Sequence, residues 1–389
     1  MAGTLVGIDV GGTFTDLVAL VDGRLVRAKV PSTREQSEGV VRALTAAGLE
    51  RADEIRHGTT VATNALLERR GARTALLTTE GFRDVLEIGR QNRPSLYDLA
   101  RDRPPPLVPR ARRFTVRERM GPDGELEPLD AESLRAAVEG VREADVEAVA
   151  VCFLFAHLHP EHERATGEAL RAALPQAHVA LSSEVLPVFR EYERFATTAA
   201  SAYLGPRLGS YLRALEEQLV AQGFPAPLVM HSAGGVVSPS EAAARAAACV
   251  LSGPAGGALG AARVAALAGY PDALALDMGG TSADVALVRG GTVATTTETE
   301  VAGVPIQLEA LDVHSVSAGG GSVAWVDEGG ALRVGPHSAG ADPGPAAYGR
   351  GGEEPTVTDA HVVLGRLRDG AVLGGEVRLT RAAAERAVG

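Results

Sequence analysis

The chain has 389 residues, 45% of them hydrophobic and 22% charged, with a formal net charge of −11. That length supplies two sizeable cores rather than one, and the acidic balance excludes nonspecific binding to nucleic acid or anionic membranes, which need a basic surface. No apolar run reaches membrane-spanning length and no leader-like segment precedes the first strand, so a soluble protein of the cytoplasm is expected.

In chain order, residues 1–30 read as a meander of strands over 4–10, 14–21 and 24–30, turning at Gly11-Gly12 and Asp22-Gly23. A helix is predicted over about 36–49, with Ser32 or Thr33 as caps. His57-Gly58-Thr59-Thr60 leads into a helix over 61–70, and 74–78 reads as a buried strand. Residues 90–130 are rich in Arg and Pro, with the run Arg103-Pro104-Pro105-Pro106, and read as an irregular excursion or lid. Asp130 caps the next helix, and 148–155 is a core strand. A helix over 160–174, a strand over 179–181, a long helix over 189–222 and a strand over 228–231 continue the alternation. The Gly- and Ala-rich stretch 252–268 suits a helix packed closely on a neighbour. This alternation predicts an α/β protein. Its domains are expected at 1–270, with an inserted lid at about 90–130, and at 271–389. The closing residues 381–386 read as a helix start with little after it, an ending that looks unfinished.

Cys152 and Cys249 lie in apolar surroundings and read as small buried hydrophobes, which excludes a disulfide framework or a cysteine zinc site. Lysine occurs once, at Lys29, so neither a P-loop nor a lysine Schiff base is available.

One phrase is written twice. Asp9-Val10-Gly11-Gly12-Thr13-Phe14-Thr15-Asp16 and Asp277-Met278-Gly279-Gly280-Thr281-Ser282-Ala283-Asp284 are both Asp-x-Gly-Gly-Thr-x-x-Asp, each between two apolar strands. A Gly-Gly turn admits positive φ and lets backbone N–H groups approach phosphate oxygens with no Cβ in the way. The Thr13 and Thr281 hydroxyls add donors, and Asp9 and Asp277 stand where a carboxylate holds hydrated Mg²⁺ or orients a nucleophile. A single copy is ordinary hairpin chemistry; the duplication argues for a phosphate clamp closing on a polyphosphate and its metal.

Such duplicated hairpins resemble the phosphate loops of the superfamily that holds actin, heat-shock chaperones and sugar kinases, with its ribonuclease H-like fold. Nearly the whole chain resembles the N-terminal and central part of the hydantoinase A/oxoprolinase family. The resemblance rests on Gly7 through Asp16, on His57-Gly58-Thr59-Thr60-Val61-Ala62-Thr63-Asn64-Ala65 and on Thr79-Glu80-Gly81-Phe82-Arg83-Asp84. It rests further on Ser252-Gly253-Pro254-Ala255-Gly256-Gly257, on Leu276 through Ser282 and on Gly335 through Gly349.

The resemblance implies an actin-like ATPase fold in which each of two domains carries a phosphate hairpin. It implies a reaction in which ATP phosphorylates the carbonyl oxygen of a hydantoin, oxoproline or related lactam and water then opens the ring. It also implies a hydantoinase B-type partner subunit and an oligomer. Asp9 and Asp277 would be catalytic and hold Mg²⁺, while Gly11, Gly12, Thr13, Thr15, Gly279, Gly280, Thr281 and Ser282 would cradle phosphate. The alternatives are a subunit of an ATP-dependent ketone carboxylase and a non-catalytic nucleotide-binding or assembly subunit. A Gly-Gly-Ala-Gly-Pro segment that members of the family carry for adenosine is not found here, and Gly319-Gly320-Gly321-Ser322 is a candidate replacement.

His57, Thr59, Thr60 and Asn64 precede or open a helix, a natural anion or carbonyl site, and are candidates for substrate contact; a packed core histidine is the alternative for His57. Asp312 and His314 alternate on a strand and are candidates on the same terms. Arg90, Gln91 and Arg93 read as a solvated charge run, with substrate contact as the other reading. His157, His159 and His162 read as a solvated strand-to-helix turn rather than a zinc site, because Pro160 breaks their common face. Glu191 through Arg194 read as the charged face of a helix.

Overall fold

The computed structural model describes every residue except 1–2, 12–13, 34, 281, 317, 341 and 374–376. Contacts divide the chain into two units, both discontinuous: one holds residues 1–55, 253–295 and 311–389, the other 56–252 and 296–310. The sequence reading divided the chain at 271; by contacts the two hairpin segments group within the first unit.

The first unit opens on the meander. Leu5–Val10 pairs antiparallel with Phe14–Val21, which pairs antiparallel with Arg24–Pro31. Val6, Ile8 and Val10 alternate inward, as do Leu17 and Ala19, the period-2 signature of a half-buried sheet. Helix Gln36–Ala46 packs Val40, Ala43 and Leu44 into the core. The second hairpin, Ala273–Met278 with Ala283–Arg289, repeats this geometry and gains Val313–Val316 as a further antiparallel strand. Helix Ser252–Leu267 carries the Gly- and Ala-rich stretch as expected. A smaller core of Ala347, Val362, Leu379 and Ala384 joins helices Val357–Val363 and Arg381–Val388.

The second unit is built on a parallel sheet ordered His178–Leu181, Ala148–Cys152, Thr74–Thr79, Arg113–Val116. Its central strands are buried on both faces, which is why they read as unbroken apolar runs. Val149 and Val151 turn to one core, with Ala137 and Val141 of helix Ala131–Glu143 and Leu170 of helix Glu161–Ala173. Ala148, Ala150 and Cys152 turn to the other, against Phe195, Ala199 and Leu204 of the long helix Glu191–Ala221. Both cysteines are buried, and burial pushes the Cys249 thiol up to about 12.

Three charged or polar groups lie elsewhere than their local sequence predicts. The Arg-rich excursion is irregular only in its first part, because Arg113–Val116 becomes a strand of the parallel sheet. The Arg113 side chain is fully buried and donates to Glu87 at 2.8 Å and to the Val108 carbonyl at 2.9 Å. Arg194, expected on a solvated helix face, is fully buried and donates to the carbonyls of Phe153 and Val188, both at 2.9 Å. His162, expected in a solvated turn, is buried, with its two ring nitrogens 2.8 Å from Glu118 and 2.9 Å from Glu125. Glu118 immediately precedes the hairpin Arg119–Gly121 with Gly124–Glu127 and Glu125 lies in its second strand, so the hairpin is clasped to helix Glu161–Ala173. In each case distant partners satisfy the buried polar group. Glu163 belongs to the same class. It is buried and accepts from Phe153 N–H (2.8 Å), Ser182 Oγ (2.6 Å) and Ser183 N–H (2.8 Å), and burial raises its carboxyl above the ordinary range.

Candidate active site

The two hairpins are superposable in register. Asp9 lies directly opposite Asp16, and Asp277 directly opposite Asp284. Each turn is closed by the same bond, Gly11 N–H to Phe14 O at 3.0 Å and Gly279 N–H to Ser282 O at 2.9 Å. Like charges directly across a ladder destabilise it, so each motif holds a stressed carboxylate pair at the lip of its turn. In the first hairpin Lys29, opposite Asp16 on the next strand, relieves this with bonds of 2.7 and 2.8 Å to both Asp16 oxygens. In the second, the residue opposite Asp284 is Ser315, and no cation pairs with Asp277 or Asp284 among the described residues.

The glycine helix Ser252–Leu267 supplies a wall that the sequence reading did not assign. Gly253 and Gly257, four apart, share one face. A Cβ on Gly253 would stand 3.6 Å from Asp9 Oδ1, and one on Gly257 would stand 3.9 Å from Asp277 Oδ2. The first turns of one helix thus approach the lead carboxylates of both hairpins, with bare backbone at each approach. A cleft of about 60 Å³ lies beside it, lined by Gly257, Pro254, Asp277 and Asp284 among others. The signal was present in Ser252-Gly253-Pro254-Ala255-Gly256-Gly257: a proline at the start of a helix with glycines at helical spacing.

The electrostatics fit a cation. The Asp9 carboxyl is raised above its ordinary range, first by the protein packed around it, then by Asp16 and Asp277, with Lys29 opposing. Asp9 thus lies within reach of the field of Asp277, and a divalent ion with its waters and phosphate oxygens would neutralise the surplus.

The second turn is braced from behind. Gly320 and Gly321 donate to the carbonyls of Gly279 and Gly280 at 2.8 and 2.7 Å. A Cβ at Gly321 would stand 3.0 Å from Gly280 O and 2.9 Å from Ser338 Oγ, so this loop admits only glycine without rearrangement. The loop Gly319–Ser322, a candidate adenosine support by sequence, is hydrogen-bonded to the second hairpin turn itself.

The other candidates are placed as follows. Gly12, Thr13 and Thr281 lie outside the described residues. Thr15 is buried and faces Gly39 of the neighbouring helix, whose Cβ would stand 2.9 Å from Thr15 Oγ1; Ser282 is half-buried at the second turn. His57 is buried, 2.8 Å from the Tyr211 hydroxyl through Nε2. Thr59 is buried, its hydroxyl accepting from Val61 N–H at 3.2 Å and its carbonyl from Ser252 Oγ at 3.3 Å. Asn64 donates to Thr60 Oγ1 at 3.3 Å. Asp312 and His314 pair at 3.3 Å on the surface. His314 lies opposite Val285, and so on the sheet face away from Asp284.

A twinned phosphate hairpin on an α/β scaffold defines the class, an actin-like ATPase-type fold, and the solved relatives agree. The structure of the ATP-dependent caprolactamase from Pseudomonas jessenii superposes with a TM-score of 0.87 at 39% identity, covering 99% of this chain and 58% of that one. The chain belongs to the hydantoinase/oxoprolinase family: residues 5–174 match the hydantoinase/oxoprolinase N-terminal region, and 194–389 match hydantoinase/oxoprolinase. It is 40% identical to the caprolactamase subunit alpha of Pseudomonas jessenii over 97% of its own length and 57% of the relative's. It is 38% identical to the acetophenone carboxylase gamma subunit of Aromatoleum aromaticum, over 98% and 56%. It is 37% identical to 5-oxoprolinase 1 of Arabidopsis thaliana, over 92% and 31%. The chain thus spans well under two thirds of the length of these relatives. No helix among the described residues is long and apolar enough to cross a membrane.

Proposed function

We propose that this chain provides the phosphoryl-transfer centre of a cytoplasmic, ATP-dependent cyclic amidohydrolase. Its substrate would be a hydantoin, oxoproline or related lactam, whose carbonyl oxygen is phosphorylated before water opens the ring. The observation that carries the reading is the pair of register-matched hairpins whose lead carboxylates, Asp9 and Asp277, meet the glycine face of a single helix. An amide carbon is a poor electrophile, and O-phosphorylation makes it a good one. The protein's part is to position charge around the transferred group.

In this reading the turns Gly11-Gly12-Thr13 and Gly279-Gly280-Thr281 cradle phosphate with backbone N–H groups, aided by Ser282; Thr15, turned into the core against Gly39, takes no part. Asp9 and Asp277 hold Mg²⁺, which supplies charge neutralisation to the polyphosphate when bound. Gly253 and Gly257 keep the approach open. His57, Thr59, Thr60 and Asn64 remain candidates for substrate contact, whereas Asp312 and His314, paired on the surface with His314 on the face away from Asp284, do not. A hydantoinase B-type second subunit completes the enzyme as an oligomer, a reading supported by relatives named as subunits alpha and gamma.

The test is ADP release by the chain with its partner subunit, with and without lactam. Lactam-stimulated release that falls about a hundredfold or more in Asp9→Asn and Asp277→Asn supports the proposal. Release that ignores both lactam and substitutions sinks it. The similarity to a carboxylase gamma subunit favours one second reading, ketone activation for carboxylation. Bicarbonate- and ketone-dependent ADP release, with no response to lactams, would select it.

A further inference from the structure

A cavity of about 830 Å³ lies wholly within the second unit and uses none of the clamp residues. One wall is the strap 102–107, whose Pro104-Pro105-Pro106 has no backbone N–H to offer. The facing wall is the long helix, which presents Tyr192 and Glu193 and, deeper in, the small side chains of Ala196 and Ala199. The rim is the turn of the hairpin Thr299–Val301 with Val304–Ile306.

These walls are pinned. Arg69 donates to Pro105 O at 3.0 Å and to Ala302 O at 2.9 Å, joining strap to turn. Arg103 donates to Ile88 O at 2.8 Å and to Asn92 O at 2.9 Å. Gly303, at φ +77°, packs so tightly that a Cβ would stand 2.7 Å from Pro104 Cγ. The volume falls in the range of small-molecule sites.

The charges lining it are half satisfied. Arg90 pairs with Glu193, and Glu87 with Arg113. Arg93, Arg103, Asp102 and Glu300 have no ion pair among the described residues, which leaves two cations against two anions. The Tyr192 hydroxyl has no hydrogen-bond partner there either, and burial raises its phenol, so it keeps its proton as a donor. A polyphosphate would meet both carboxylates, and a simple cation both guanidinium groups.

We propose that this cavity binds a small molecule of no net charge with a short apolar body. Its carbonyl or carboxylate oxygen is taken by Arg93 and Tyr192, and its N–H or ammonium group by Asp102 or Glu300. A lactam and the ω-amino acid it opens to share that chemistry; naming them rests on the cyclic-amide reading above.

The test is calorimetric titration of the full chain with ε-caprolactam and with ε-aminocaproate, in the parent, Arg93→Ala and Glu300→Gln. Both substituted side chains are exposed, and an unchanged melting temperature certifies the fold. Millimolar or tighter binding of at least one probe is expected, weakened about tenfold or more in Arg93→Ala. Binding of the lactam alone marks a substrate site, and binding of the amino acid alone marks a product site. Absence of binding by both probes, or equal affinity in parent and Arg93→Ala, overturns the proposal. ADP release measured in parallel separates the two readings. Arg93-dependent binding without lactam-stimulated turnover keeps the cavity and sinks the activity. Turnover with no Arg93-dependent binding keeps the activity and sinks the cavity.

Discussion

At the scale of single residues, Asp9 is the most informative group. Its carboxyl is held above the ordinary range by surrounding protein and by two neighbouring aspartates. A carboxyl raised in the folded state contributes stability that is fully present below its unfolded value and is lost as pH rises through its folded value. Ionised Asp9 is therefore a cost at neutral pH. Asp9→Asn is expected to melt higher than the parent at pH 7, with the difference vanishing below about pH 4. Scanning calorimetry at the two pH values checks this, and a lower melting temperature at pH 7 would refute it. Under the proposed role the same variant is expected to lose ADP release as well, so stability and activity would move in opposite directions. Much at this scale was legible in advance: Asp9, Asp277 and the two turns follow from local hairpin chemistry, in which Gly-Gly fixes the turn and spacing fixes the register. Arg113, Arg194 and His162 were misread because their partners come from far along the chain or from bare carbonyls, and nothing in the local sequence records a partner.

At the scale of elements, the glycine helix separates two quantities that usually move together. Its interior glycines cost helix stability, and at Gly257 an added Cβ makes only ordinary contact with Asp277. Gly257→Ala is therefore expected to stabilise the chain by about 0.5–1 kcal/mol while weakening ATP binding, read by denaturant unfolding and by titration with ATP·Mg²⁺. Unchanged ATP affinity would remove this helix from the site. In the other unit, Glu163 ties helix Glu161–Ala173 through three donors to the end of the central strand at Phe153 and to the short helix Ser182–Val185 beyond the edge strand. Glu163→Ala strands those donors and should cost about 3 kcal/mol in urea unfolding; a loss within experimental error would show that they find other partners. The alternation of helices and strands was readable from periodicity; the parallel pairing and strand order were not, because they depend on contacts between distant segments. The fourth strand, Arg113–Val116, was hidden by its leading arginine and by Arg110 and Arg112 just before it.

At the scale of the whole molecule, contacts gather the two hairpins, the glycine helix and the bracing glycine loop into one unit made of three separate stretches of chain. Sequence order obscured this grouping, because a linear reading places a boundary where a new motif begins. Ligand binding should act on the fold accordingly: ATP·Mg²⁺ at a hundredfold excess over Kd adds about 2.7 kcal/mol to the state that binds it. A rise in melting temperature that disappears in Asp277→Asn would tie that gain to the second hairpin, whereas a rise that persists would place the nucleotide elsewhere.

The pairing of Lys29 with Asp16 has a practical corollary. Because this sequence contains a single lysine, an amine-directed reagent has one side-chain target in it, on the strand beside the first phosphate turn. A fluorophore attached there would sit at a known address without any engineered cysteine. Before labelling, the rate of acylation itself tests the proposed clamp: nucleotide and metal bound beside Asp16 would change how often the amine is free to react. The same scarcity that rules out a P-loop thus furnishes an intrinsic probe of the clamp.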